Sequence, residues 1–114
     1  MNINNNNFIK KSPKLKTAIV QNILELLYIK DLTISELLFE LQNRLHYLTS
    51  SSSKALKKYL VYLIDYEIIS YDGQRRVYTI DYNGLDLLNW IAKEKKSSLG
   101  NAEDITITIE RTES

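Results

Sequence analysis

The sequence predicts a mainly helical α+β domain, in which three helices precede a β-hairpin, a fourth helix and a possible C-terminal strand. Apolar residues recur at helical spacing in three successive segments between residues 13 and 69. The period then changes to alternation on both sides of Asp72-Gly73, a dipeptide typical of hairpin turns. Helical spacing returns after Asn83, and alternation returns near the C-terminus.

Composition and charge set the limits of this prediction. The 114 residues are 44% hydrophobic, which is enough for one small core. The sequence has no cysteine, which excludes disulfides and thiolate metal sites. It also has no apolar run long enough to span a membrane and no signal peptide, so we expect a cytoplasmic protein.

The charge is unevenly distributed along the chain. Residues 1–100 carry 14 Lys and Arg against 10 Asp and Glu, a net +4, whereas residues 101–114 carry one against four, a net −3. We therefore divide the chain into a flexible arm (1–12), a folded domain (13–97) and an acidic tail with a possible strand (98–114). The Asn-rich arm and the lysines that follow it are interpreted as either a solubilising segment or a basic arm along a nucleic-acid backbone.

The first two helices have recognisable starts. Ser12 is a good N-cap and Pro13 suits the first helical position, which predicts a helix from there to about Lys30. Thr33 and Glu36 form a T-x-x-E capping box for the second helix, which we expect to end near Arg44. Leu32 and Leu37 flank that box at the spacing of a hydrophobic staple, and His46, the only histidine, is expected in the following turn.

The third predicted helix runs from Thr49 to Ile69 and carries two different faces. Its apolar stripe consists of Leu56, Leu60, Leu63 and Ile64. The candidate binding residues lie on nearly the opposite face and in the serine run at its start: Ser52, Ser53, Lys54, Lys57 and Lys58. This arrangement indicates either a recognition helix or an ordinary solvated lysine face.

The predicted hairpin pairs Ile68–Tyr71 with Arg75–Ile80 through a tight type I′ turn at Asp72-Gly73. Arg75 and Arg76 lie just past this turn. They are candidates to contact a phosphate or the minor groove, and the alternative is that they only keep the loop soluble.

The fourth helix is expected to begin at Asp81 or Asn83 and to end near Lys96, with a wide apolar arc. We expect Leu85, Leu88, Ile91 and Ala92 to face the core and Leu87 and Trp90 to form a candidate dimer face. Beyond it, Ile105, Ile107 and Ile109 alternate with threonines, the pattern of a strand with one buried face. Such a strand needs a partner, which we expect to be the hairpin of its own subunit or an edge of a second subunit.

These segments resemble the archaeal winged helix-turn-helix DNA-binding proteins. The recognition-helix pattern S-x-x-x-L-x-x-Y-L-x-x-L is matched at Ser52, Leu56, Tyr59, Leu60 and Leu63. The pattern Y-x-x-T-x-x-G after the wing is matched at Tyr78 and Gly84, with Asp81 in place of threonine. Glu67 stands where the family usually has a glycine. The resemblance covers residues 15–95 and implies a winged helix that dimerises through the helix after the wing.

We therefore expect a sequence-specific double-stranded DNA-binding protein that regulates transcription as a homodimer. The dimer contacts would lie on Leu85–Ala92, with the strand Ile105–Ile109 as a second candidate. The alternative is a winged-helix module that binds another protein through its acidic tail and tyrosine-rich face, although packing is the expected role of Tyr59, Tyr62 and Tyr66. The sequence has neither a glycine-rich phosphate loop nor a serine-elbow motif, so we expect no enzyme activity, no cofactor and no metal site.

Overall fold

Four helices and two short antiparallel ribbons are seen in the computed structural model, which describes residues 14–46, 53–96 and 104–106. The described fold is α+β and mainly helical, as the sequence predicts. In chain order the elements are β1 (Lys14–Lys16), α1 (Thr17–Ile29), α2 (Ile34–Arg44), α3 (Ser53–Asp65), β2 (Ile69–Asp72), β3 (Val77–Ile80), α4 (Tyr82–Lys96) and β4 (Asp104–Thr106).

Helix α1 is the centre of the core. It packs against α2, α4 and β3. Because these neighbours lie on different sides of α1, the helix carries apolar residues on more than one face. Its fully buried side chains are Val20, Ile23, Leu24 and Leu27. Leucines from α2 and α3 and Ile91 from α4 complete the same cluster.

Helix α2 begins as its sequence predicts. The Glu36 N–H donates to the Thr33 hydroxyl at 3.2 Å, and the Thr33 N–H donates to the Glu36 carboxylate at 2.9 Å. The predicted capping box is therefore confirmed, and Leu32 and Leu37 beside it are both buried in the core. At its other end, Arg44 donates to Glu25 at 3.0 Å, which joins α2 to α1.

The predicted start of the first helix is wrong. Helix α1 begins at Thr17, and Lys14–Lys16 form a strand that pairs antiparallel with Asp104–Thr106. Leu15, which lies within the predicted helix, is 3% exposed and is the register partner of Ile105 in this ribbon. Pairing with the far end of the chain overrides the local helix signal. Ser12 and Pro13 lie outside the described residues.

The strand predicted in the acidic tail is present at Asp104–Thr106. Its partner within the chain is β1 rather than the hairpin. Ile107 and Ile109 lie outside the described residues.

Helix α3 ends at Asp65, four residues before the predicted end at Ile69, because its C-terminus closes in a Schellman motif. The Glu67 N–H donates to the Ile64 carbonyl at 2.9 Å and the Ile68 N–H donates to the Leu63 carbonyl at 2.8 Å. Glu67 has a φ of 60°, the left-handed conformation that usually belongs to glycine at this position. The chain therefore reverses with a glutamate where the resemblance leads us to expect glycine.

The hairpin is confirmed, but its predicted type I′ turn is wrong. Asp72 pairs with Val77, so four residues, 73–76, form the loop. Within this loop Arg76 has a positive φ of 60°. Gly73, where a type I′ turn would require a positive φ, does not have one. The longer loop is stabilised by Asp72, whose carboxylate accepts the N–H groups of Gln74 at 3.0 Å and Arg75 at 3.2 Å.

A short contact that the sequence analysis did not predict joins this hairpin to the turn between α1 and α2. The Leu32 N–H donates to the Tyr78 carbonyl at 3.3 Å, and the Tyr78 N–H donates to the Leu32 carbonyl at 2.7 Å. Leu32 therefore adds one residue of a third strand beside β3.

Helix α4 begins directly after Asp81, whose carbonyl accepts the Leu85 N–H at 3.0 Å. Gly84 allows α4 to approach the backbone closely, since a Cβ there would lie 2.4 Å from the Ile68 carbonyl oxygen. Leu87, predicted for the dimer face, packs against the core. Ala92, predicted for the core, is exposed. Both of these predictions are therefore wrong. No helix in the described ranges is long and apolar enough to cross a membrane.

Candidate nucleic-acid interface

The exposed lysines of α3 form the main cationic surface that the sequence predicted. Lys54, Lys57 and Lys58 are exposed, whereas Leu56, Leu60 and Leu63 on the same helix are buried. The leucines therefore fix the helix against the core while the lysine ammonium groups face solvent. None of the ion pairs between described residues involves these three lysines, so their charge is available to an anionic partner.

The serines at the start of α3 are only partly described. Ser53 is the first helical residue and is half-buried, which reduces the surface that it can offer to a ligand. Ser52 lies outside the described residues, and so does the rest of the connection between α2 and α3 after His46.

Arg75 is exposed but already engaged. Its Nη2 donates to the Asp31 carboxylate at 2.8 Å and its Nε donates to the Asp72 carboxylate at 2.8 Å. The hydrogen bonds from the Arg75 side chain and backbone lower the pKa of Asp72, and the two carboxylates raise the pKa of Arg75. Two negative charges therefore face this one guanidinium in the free protein.

Arg76 is the hairpin arginine that remains available. It is exposed, and no other described residue forms an ion pair with it. Its N–H donates to the Asp72 carbonyl at 2.7 Å, which holds its backbone in the left-handed conformation at the end of the loop.

Packing is the expected role of all three tyrosines on the flank of α3, and two of them have it. Tyr59 and Tyr66 pack against the core, whereas Tyr62 is exposed. The Tyr59 hydroxyl also accepts the Lys16 N–H at 3.0 Å. This bond joins the β1–β4 ribbon to α3.

The hairpin also carries an aromatic pair that sequence reasoning missed. Tyr71 and Tyr78 are cross-strand partners, with ring centroids 4.7 Å apart. Burial raises the pKa of Tyr78. The predicted two-residue turn would have placed Tyr71 opposite Gln74, so the wrong loop length concealed the pair.

A second surface feature lies on α2. Phe39 is 61% exposed, although it is a large apolar residue in a helix with a well-defined buried stripe. It borders an open groove of about 250 Å³ lined by Lys30, Leu32, Ser35, Glu36, Phe39 and Glu40. The position of Phe39 outside the Leu37–Leu41 stripe was the sequence signal for this exposure.

The described residues do not form a candidate metal site. Within residues 14–46, 53–96 and 104–106, no three His, Cys, Asp or Glu side chains come together as a candidate site. The chain matches no protein-family model, no curated protein and no solved structure.

Proposed function

We propose that this chain is a winged helix-turn-helix protein that binds double-stranded DNA sequence-specifically and regulates transcription in the cytoplasm as a homodimer. The observation that carries the proposal is the surface of α3, where three lysines without ion-pair partners in the described chain lie opposite a buried leucine stripe. The order of α1, α2, α3 and the β2–β3 hairpin, with Leu32 paired to the hairpin, supports the winged-helix assignment.

In this proposal α3 enters the major groove and its lysines contact phosphates and base edges. Arg76, at the end of the hairpin loop, supplies a further cation to the DNA backbone. Ser52 and Ser53 stay in the proposal as hydroxyl donors at the start of α3, with Ser53 the weaker candidate because it is half-buried.

Dimerisation is proposed through the Leu85–Ala92 segment, with the strand Ile105–Ile109 as a possible second contact. Trp90 is 49% exposed and supplies most of the candidate face, since Leu87 faces the core of its own chain. One edge of β4 is already paired with β1, which leaves only its other edge for a second subunit.

Selection of bound fragments from random duplex DNA tests the proposal directly. We expect enrichment of a palindrome, because a twofold dimer places two copies of α3 on two half-sites. Recovery of unenriched sequence at every salt concentration would contradict sequence-specific recognition.

The competing function is protein binding, and the groove beside Phe39 is the observation that favours it. Glu36 and Glu40 border this apolar surface, so its charge suits a protein segment that presents an apolar side chain next to lysine or arginine. Phe39→Ser should abolish such binding and leave DNA binding unchanged. Loss of partner binding in Phe39→Ser, together with DNA binding that the α3 lysine variants leave unchanged, would favour this second function.

A further inference from the structure

Two separate connections join the hairpin to the turn between α1 and α2. The first is the pair of backbone hydrogen bonds between Leu32 and Tyr78, at 3.3 and 2.7 Å. The second is the ion pair between Arg75 and Asp31, at 2.8 Å, which links residues 44 positions apart. Together they fix the hairpin at the strand and at the loop.

The same guanidinium also organises the loop itself. Arg75 Nε donates to one oxygen of the Asp72 carboxylate at 2.8 Å. The other oxygen accepts the N–H groups of Gln74 and Arg75. The three charged groups therefore form one unit with a net charge of −1, which makes Arg75 a poor ligand for a phosphate.

We propose that Arg75 is a positioning residue and that Asp31 is its anchor, so that the hairpin loop is held in the orientation in which Arg76 reaches DNA. Arg76 follows Arg75 directly and is the hairpin cation without an ion pair in the described chain. This inference rests on the proposed DNA-binding function and separates the roles of two arginines that the sequence makes look equivalent.

The change Asp31→Asn tests the proposal through the sign of its effect on DNA affinity. Removing a negative charge near the DNA should tighten binding if electrostatic attraction is all that matters. Loss of the anchor should instead weaken binding, by roughly two- to fivefold, the equivalent of an exposed ion pair. Asp31→Glu keeps the carboxylate and should bind DNA as tightly as the parent. Asp86→Asn on α4 removes the same charge elsewhere and is the matched control.

The salt dependence distinguishes positioning from direct contact. Arg75→Gln should weaken binding at least as much as Asp31→Asn, because it also removes the contact with Asp72, without changing the slope of log affinity against log salt. The double variant should be no weaker than Arg75→Gln alone. Arg76→Gln should reduce that slope by about one unit. Tighter binding by Asp31→Asn, with a reduced slope for Arg75→Gln, would show that Arg75 contacts phosphate directly and would overturn the proposal.

Hydrogen exchange in the absence of DNA separates this inference from the proposed function. Asp31→Asn should accelerate exchange of the Arg76 N–H, which donates to the Asp72 carbonyl, whereas Asp86→Asn should not. Unchanged exchange would rule out the anchor. Accelerated exchange in a protein that binds no DNA would leave the anchor in place but refute both the DNA-binding function and the role of Arg76.

Discussion

Glu67 shows how one residue can oppose a fold that its neighbours favour. The Schellman hydrogen bonds of Glu67 and Ile68 require a left-handed residue after α3, and the buried Leu63 and Ile68 side chains hold the chain in that geometry. A side chain with a Cβ is strained in this conformation by roughly 1 kcal/mol. Packing around the turn therefore outweighs the local preference of the glutamate.

We expect Glu67→Gly to be more stable than Glu67→Ala by about 1 kcal/mol, which corresponds to roughly 4–8 °C in Tm for a domain of this size. Both variants lack the carboxylate, so their difference reports the backbone: relief of left-handed strain favours glycine, and the larger entropy of glycine in the unfolded chain opposes it. Thermal unfolding followed by circular dichroism measures the net difference. A glycine variant with a lower Tm than the alanine variant would show that strain at the positive φ is smaller than this entropy.

At the scale of the element, the N-terminus of α2 combines a reciprocal cap with a charge effect. The hydrogen bond from the Thr33 backbone N–H is the first cause of the lowered pKa of Glu36, and the nearby Lys30 contributes less. The lowered pKa means that the folded state favours the ionised Glu36 carboxylate over the protonated one. This carboxylate therefore stabilises the fold at pH values above its unfolded pKa, near 4.5. The stabilisation is lost as the pH falls through the pKa of Glu36 in the folded protein.

Glu36→Gln should therefore lower Tm near pH 7, and this difference should decrease towards pH 3 as the carboxylate of the parent takes up a proton. Thr33→Ala removes the cap itself and should cost about 1 kcal/mol near pH 7. Thermal scans of the parent and the two variants at both pH values measure these effects. A Glu36→Gln difference that is as large at pH 3 as at pH 7 would show that its cause is not ionisation.

The elements that the sequence predicts correctly are those specified by near neighbours. Thr33 and Glu36 are three positions apart and the leucine stripes repeat within single helices, so local patterns are sufficient. The pairing of Leu15 with Ile105 and of Leu32 with Tyr78 depends on residues far apart in the chain, and no local period encodes it. In the candidate site, the exposure of the lysines follows from periodicity, whereas the ion pair between Arg75 and Asp31 does not.

At the scale of the whole molecule, the exposed flank of α4 leads to a prediction about assembly. Trp90→Glu places a charge in the proposed dimer face and should convert a dimer into a monomer. Tyr82→Glu adds the same charge to the same helix at a residue that is 86% exposed and should leave the dimer intact. Light scattering at tens of micromolar measures both, and a monomeric parent would contradict the dimer.

The β1–β4 ribbon connects both ends of the described chain to α3 through the bond between Lys16 and Tyr59. Deleting residues 101–114 removes β4, the strand that pairs with β1, so we expect a lower Tm. The deletion also removes a net charge of −3 and should tighten DNA binding at low salt. Unchanged stability with tighter binding would show that the tail acts by charge alone.

The central claim is that the lysine face of α3 binds duplex DNA, and the salt dependence of binding tests it most directly. The triple variant Lys54→Ala, Lys57→Ala, Lys58→Ala should keep the parent fold, because all three side chains are exposed. A control with Lys16, Lys30 and Lys93 changed to Ala removes the same charge from other exposed positions.

Affinity for a selected duplex, measured by fluorescence anisotropy across a salt series, should fall steeply for the α3 variant and only slightly for the control. The slope of log affinity against log salt should decrease by about one unit for each phosphate group that α3 no longer neutralises. If the α3 variant instead binds as tightly as the parent with the same slope, α3 is not the element that contacts DNA.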